Sequence, residues 1–384
     1  MRLKLLFRNV FRHKLRAFLT IVGICVAILA FGMLRTVISA WYAGVNASSS
    51  SRLITRNATS LIFPLPISYL EKIRGVNGVR EVSYSNWFGG TYIDAKNFFV
   101  NFAVEPRSYF DLYPEFVLPE AQAAAFFRDR KACVAGQKLA QRFGWSVGDT
   151  ITLKGTIYPG NWDFVLQGIY HGKNAATDEN QFFFHWSYLN ESLKKNDPRR
   201  ADQVGVYIID LKHPDMAANV SEAVDALFRN SYAETLTETE KAFQMSFVSM
   251  TEAILTVIQI VSCVIIAIIM AVVANTMAMS VRERMGEFAV FKTLGFGGGY
   301  LSMLILGESM ALSGIGGILG IALTFPAARA FAEAVGQFFP IFHVSLNTIF
   351  MDIGAAMAVG AVAAMIPMWR VIHIRIAEGL GRTG

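Results

Sequence analysis

Glu308 is the one acid placed well inside an apolar run of this chain, seven residues into the third such run. An ionised carboxylate there is costly, so it must find a partner, carry a proton or face water. Arg35 is a poor partner, because it falls near the opposite end of its own run. Asn275 and Thr276, about as deep in the second run, are level with Glu308. A hydrogen bond between Asn275 and Glu308 is therefore expected, as a fold-specifying polar contact rather than as proton coupling. Catalytic patterns are not found elsewhere. His13, His171, His185, His213, His343 and His373 are scattered, with no HExxH and no Cys/His cluster, and G-x-S-x-G is absent. His171 and His185 are the pair that could meet in the polar middle. Cys25 and Cys263 lie in apolar segments and Cys133 is alone in the polar region, so neither metal spacing nor a structural disulfide is expected. Gly172-Lys173 is followed by Asn174 and lacks the upstream glycine of a phosphate-binding loop. The sequence thus offers no catalytic residue, no metal site and no cofactor of its own, and any energy source must be another polypeptide.

Charge at helical spacing is what remains. Ser280 to Gly295 reads SVRERMGEFAVFKTLG, with Glu283 and Glu287 four apart and Met285, Phe288 and Ala289 on one side of a helical wheel. Gly295 can cap that helix at its C-terminus. A short amphipathic helix between two apolar runs is a handle that a soluble partner can push. Its candidate docking residues are Arg282, Arg284, Glu287, Phe288, Phe291, Lys292 and Gly295. The plain alternative is a solvated loop.

The elements that carry these residues follow from composition. With 384 residues, 53% hydrophobic and 17% charged, the chain is too apolar for an ordinary soluble protein and too charged to lie wholly in a membrane. The net charge of +6 sits at the ends of apolar runs, where it reports topology and contact with anionic lipid rather than nucleic acid. Residues 1–16 carry six cations and no acid. Lys4, Arg8, Arg12 and Arg16 form a stripe opposite Leu3, Leu6, Phe7 and Val10, as in a helix lying on the cytoplasmic membrane surface. A first span is expected over 17–41, uncleaved, with Arg35 snorkelling toward Trp41. A polar domain over 42–250 opens on the flexible tract Ser48 to Ser51. It reads as α/β, with strands at Gly78 to Ser83, Thr150 to Leu153 and Trp162 to Tyr170. A helix at Lys138 to Phe143 is stopped by Gly144.

The second span, 251–281, is longer than a bilayer core needs, so its start is expected to project as a stalk. The amphipathic helix and its loop fill 282–300, and a third span covers 301–325. An outer loop over 326–349 has Arg329 as its only cation. A fourth span covers 350–370 and a basic cytoplasmic tail 371–384. Ser313, Gly316, Gly317 and Gly320 give small-xxx-small spacings for close helix packing, with Gly360 and Ala364 on the fourth span. The fold class is therefore a four-helix membrane protein with an α/β extracytoplasmic domain inserted between helices one and two, both termini being cytoplasmic.

Several stretches carry a family resemblance. LFRNVFRHKLRAFLTIVGI (Leu6 to Ile24) resembles the opening of the FtsX/MacB class of ABC-transporter permeases, and Arg282 to Gly295 resembles their cytoplasmic loop. IRGVNGVREVS (Ile73 to Ser83), VEPRSYFDLYP (Val104 to Pro114) and VAGQKLAQRFGWSVGDTITLKG (Val134 to Gly155) resemble the MacB-type periplasmic core domain. The closing RVIHIRIAEGLGR has Ile376 where the family usually has proline. The resemblance implies a permease subunit in the bacterial inner membrane, working as a dimer beside separate ATP-binding subunits that hold ATP and magnesium. An adaptor outside is a further partner of this class. It implies mechanotransmission, in which the amphipathic helix docks on the ATPase and the outer domain moves to export or extract a substrate from the periplasm or outer leaflet. An FtsX-like regulator of cell-wall hydrolases, a lipoprotein-releasing permease and a membrane-embedded enzyme stay open beside it.

Overall fold

The computed structural model describes residues 12–174, 177–335 and 342–373. They fall into two compact units, a helical one built from the described residues of 12–41, 251–335 and 342–373, and an α/β one built from those of 42–250.

The helical unit contains four helices long and apolar enough to cross a membrane: Lys14–Trp41, Glu252–Glu283, Gly298–Val335 and Leu346–His373. Each buries one seam at steps of three and four residues. Ala17, Ile21, Ile24 and Ile28 of the first meet Ile266, Ile269, Val273, Met277 and Val281 of the second, with Leu301, Ile305 and Leu312 of the third and Ala356, Val359 and Ala363 of the fourth. The opposite faces are just as apolar. Phe18, Leu19, Ile260, Ile268, Met303, Ile318 and Met365 are all more than half exposed, as lipid-facing residues must be. The third helix continues through Pro326, past the end expected at residue 325, and the fourth contains Pro367. A surface helix expected over residues 1–16 lies mostly outside the described residues. Lys14 to Arg16 open the first long helix instead. Ile376 also lies outside them.

Small residues bring three of these helices close. A Cβ on Gly316 would stand 2.8 Å from the Ile24 Cβ, and one on Gly320 2.8 Å from the Cys25 carbonyl, both on the first helix. Gly317 faces Ala356 of the fourth helix at 2.7 Å, and Gly360 faces Ser313. The third helix thus packs against the first with one glycine pair and against the fourth with the glycine between them.

The α/β unit is built on strands β1 (Arg52–Asn57), β2 (Leu65–Pro66), β3 (Val79–Trp87), β4 (Thr91–Tyr92), β5 (Val100–Val104), β6 (Phe116–Val117) and β7 (Ala132–Gly136). It continues with β8 (Thr150–Gly155), β9 (Gly160–Gly172), β10 (Gln181–His185), β11 (Gln203–Val204), β12 (Val206–Leu211) and β13 (Thr235–Thr239). The main sheet runs β13-β1-β12-β3-β5-β10-β7-β9-β8-β4, with β6 on β9 and a separate β2-β11 pair. β5 pairs with β10 and β7 with β9 in parallel; the other neighbours are antiparallel. Side-chain alternation explains burial on both faces: in β10, Phe182 and Phe184 join one apolar cluster while Phe183 joins the other. Gly144, in the left-handed region (φ 68°), ends helix Gln137–Phe143 by donating to the Ala140 and Gln141 carbonyls. The two ends of the unit are neighbours. β1 pairs with β13, and the short helix Ala43–Ala47 packs on helix Glu240–Met250.

Candidate functional site

The second membrane helix ends at Glu283 and the amphipathic helix Met285–Thr293 begins two residues later. Arg284 is the hinge between them, at φ −102° and ψ 12°. Out of helical register, its side chain turns inward rather than following either helix face. Its Nη1 donates to both Glu308 oxygens, at 2.8 and 3.1 Å, and its Nε to Glu287 Oε2 at 3.2 Å. The guanidinium lies over the Phe288 ring at 5.2 Å. Arg284 and Glu308 side chains are each 7% exposed. This corrects the expected Asn275 contact: Asn275 sits on the exposed face of its helix, and Glu308 takes the arginine. The physical reason is charge. A buried carboxylate gains far more from a charged guanidinium nitrogen that meets both its oxygens than from a neutral amide.

A second set of ion pairs joins the end of the second membrane helix and the amphipathic helix to the start of the first membrane helix. Arg16 grips Glu283 with two bonds, at 2.7 and 2.8 Å, and Arg12 pairs with Glu287. His13 approaches Glu283 at 3.7 Å. Cations four apart meet acids four apart in antiparallel order. Two members of the basic stripe are therefore engaged by protein carboxylates, where the sequence had assigned them to lipid. Burial works to raise the Glu287 pKa, but the bonds from Arg12 and Arg284 outweigh it and hold the carboxyl below its ordinary value.

These contacts sort the candidate docking residues. Arg284 and Phe288 are buried, so neither is available to a partner in this arrangement. Glu287 is engaged on two sides. Phe291 is half-buried, edge-on to Phe296 at 5.7 Å, and Lys292 Nζ donates to the Ile372 carbonyl at the end of the fourth membrane helix at 2.9 Å. Arg282 and Gly295 are exposed. Gly295, at φ 87°, turns the chain so that Phe296 N–H reaches the Phe291 carbonyl at 3.0 Å. What the helix end offers outward is apolar: Val290 is 48%, Leu294 69% and Phe296 40% exposed. Sequence reasoning missed this patch. The four-residue step from Val290 to Leu294, on the side away from Phe288, was the available signal. It also missed a second buried acid, Asp352, which is fully buried with neither carboxylate oxygen hydrogen-bonded.

In the α/β unit, Arg52 is the comparable hub. Its Nε donates to Glu240 Oε2 at 2.9 Å, Nη2 to Glu115 Oε1 at 2.6 Å and Nη1 to the Leu112 carbonyl at 2.9 Å, while its guanidinium lies 4.2 Å over Tyr113. The Ser49 N–H also donates to Glu240 Oε2. The serine tract read as flexible is thus tied to the opening residue of the exit helix. His171 and His185 do not meet. They lie on β9 and β10, with β7 between, and His185 Nε2 donates to the Phe126 carbonyl at 2.7 Å. Among the described residues no group of three His, Cys, Asp or Glu side chains gathers to hold a metal ion.

Comparison with known proteins adds identity to this geometry. A family model described as the MacB-like periplasmic core domain matches residues 17–227, and one described as the FtsX-like permease C-terminal matches residues 259–376. An uncharacterized ABC transporter permease of Methanocaldococcus jannaschii is 24% identical over 385 residues, spanning 94% of this chain and 92% of its own. Among solved structures, the extracellular domain of the ABC-type transporter YknZ from Gram-positive bacteria is similar, with 11% identity and a TM-score of 0.37, covering 49% of this chain and 100% of that one. The periplasmic region of MacB from Actinobacillus actinomycetemcomitans is similar with 10% identity and a TM-score of 0.38, covering 53% of this chain and 95% of that one.

Proposed function

Because this chain belongs to the FtsX/MacB type of ABC transporter permeases, we propose that it passes motion, rather than substrate, between a cytoplasmic ATPase and its extracytoplasmic domain. The observation that carries this reading is the amphipathic helix Met285–Thr293. It is tied to the approach to the first membrane helix by Arg12–Glu287 and to the fourth by Lys292, and the residues just before it, Glu283 and Arg284, bind Arg16 of the first helix and Glu308 of the third, while Val290, Leu294 and Phe296 stay open. A push on the open apolar end is transmitted to three membrane helices at once, because the ion pairs leave no slack between them. ATP and its magnesium belong to the partner chain, and this chain supplies no catalytic group. We place the amphipathic helix and both termini in the cytoplasm, where cations flank the spans. The assembly is a dimer of this chain with ATP-binding subunits, in a plasma membrane, acting on a substrate taken up outside or from the outer leaflet.

The test is affinity purification of the chain from its native membrane, with an ATPase assay on what accompanies it. An ATP-binding chain is expected to co-purify, and to be lost from Leu294→Asp combined with Phe296→Asp. It is expected to remain with Ile62→Asp, a change at an 87% exposed position of the outer unit. Absence of any ATPase from the wild-type sample, or its retention by the double variant, overturns the reading.

A further inference from the structure

Asp352 lies six residues into the fourth membrane helix, is completely buried, and has no hydrogen-bond partner at either carboxylate oxygen. It sits where the first, third and fourth helices meet. A Cβ built on Gly32 would fall 2.7 Å from Asp352 Oδ2 and 3.2 Å from Thr324 Oγ1, so the missing side chain of Gly32 is what admits the carboxyl. The neighbouring hydroxyls give their hydrogens elsewhere: Thr36 Oγ1 to the Gly32 carbonyl at 2.7 Å and Thr324 Oγ1 to the Gly320 carbonyl at 2.9 Å. Both present only lone pairs to their surroundings. On Asp352's own helix, Thr348 is bonded to Ser345 at 3.0 Å.

The charged groups around the site are few. Arg35, three residues beyond Gly32 on the first helix, makes no ion pair with Asp352. Arg329 on the third helix and Glu252 on the second are exposed. An ionised Asp352 would then be a buried charge with neither a counter-ion in contact nor a donor, surrounded by helices and lipid. A proton removes that charge.

We propose that Asp352 is a protonation site of the membrane bundle: its carboxyl carries a proton while the three helices are packed as described, and releases it to water when they separate enough for Arg35 to reach it. Glu308, paired with Arg284 at 2.8 Å, serves as the internal contrast. The site gives the relative movement of the first and fourth helices a dependence on pH on the side of the bundle from which the first helix runs on toward the extracytoplasmic domain.

The test is labelling of the full chain in lipid nanodiscs with dicyclohexylcarbodiimide, which attacks protonated carboxyl groups in apolar surroundings, followed by mass spectrometry of the peptides. Asp352 is expected to be modified at neutral pH and to lose the label as pH is raised, while Glu308 stays unmodified throughout. Infrared spectroscopy gives a second readout: a carboxylic C=O band present in the wild type is expected to be lost in Asp352→Asn, the neutral isostere. No label on Asp352 at neutral or acid pH, together with a C=O band unchanged by Asp352→Asn, overturns the proposal. Protection of Asp352 from the reagent by sodium ions at constant pH also overturns it, in favour of a cation site.

Discussion

Replacing Arg284 with methionine removes one half of an ion pair whose side chains are each 7% exposed. Glu308 is then left with no contacting cation, and breaking a buried pair in this way costs roughly 3–5 kcal/mol. Glu308→Leu should cost less, toward the lower end of that roughly 3–5 kcal/mol range, because Arg284 keeps Glu287 at 3.2 Å and the Phe288 ring at 5.2 Å. Combining Arg284→Met with Glu308→Leu removes both charges together, and apolar replacement of a whole buried pair is neutral or stabilising by about 1–4 kcal/mol. The two sites should therefore be strongly non-additive, with a coupling of at least about 2 kcal/mol in a double-mutant cycle. Equilibrium unfolding in mixed micelles, followed by tryptophan fluorescence, measures all four corners of the cycle. In the reconstituted complex, the double variant should fold as well as wild type yet couple ATP hydrolysis poorly, because its clamp between the amphipathic and third membrane helices is gone. Single variants within about 0.5 kcal/mol of wild type, or a double variant equal to the sum of the singles, would refute the reasoning. Either result would mean that Arg284 and Glu308 are not energetically coupled.

Arg52→Ala should destabilise the α/β unit by about 3–5 kcal/mol, since it strands Glu240, whose side chain is 9% exposed. Arg52→Lys should recover only part of this, because an ammonium cannot span Glu240 and Glu115 as a planar fork does; thermal unfolding in detergent checks both. Gly320→Val should cost about 1–3 kcal/mol by driving the third helix off the Cys25 carbonyl. Gly314→Ala, at a position with nothing within 4 Å, should instead gain roughly 0.5–1 kcal/mol in the same assay. On the pH axis, burial lowers the His185 pKa, so its contribution to stability is complete above the ordinary histidine value of about 6.5 and is lost as pH falls below it. The Glu287 carboxyl is held low, so its contribution is complete above about 4.5 and is lost as pH falls through the lowered value. His185→Gln, which keeps a donor for the Phe126 carbonyl, should flatten the fall in melting temperature between about pH 7 and 5. Glu287→Gln should flatten only the fall below about pH 4.5.

What could be read from the chain follows from how local each signal is. Four apolar runs, the alternation in β8 and β9 and the glycine spacing on the third helix depend on neighbours in sequence, and all of them appear in the structure. The pairings were harder. Counting depth along two helices put Asn275 level with Glu308, but side-chain direction decides contacts, and the break at residue 284 turns one arginine inward that a continuous helix would have left outside. Arg12 and Arg16 read as a lipid-facing stripe because their acids lie more than 260 residues away. Asp352 was overlooked because it falls near the end of its apolar run, where an acid looks interfacial. Only the meeting of three helices around Gly32 shows that it is buried.

The pairing of β1 with β13, and of Arg52 with Glu240, has a consequence for how such a chain can evolve. The entry and exit of the outer domain stand one strand spacing apart, about 4.8 Å, so the helices on either side are joined as though by a tight hairpin. Loop-closure entropy depends on the distance a connection must bridge and only weakly on the length of chain threaded through it. The domain is therefore a cassette. A foreign domain with equally close ends could replace it without asking the first and second membrane helices to find each other across a longer tether.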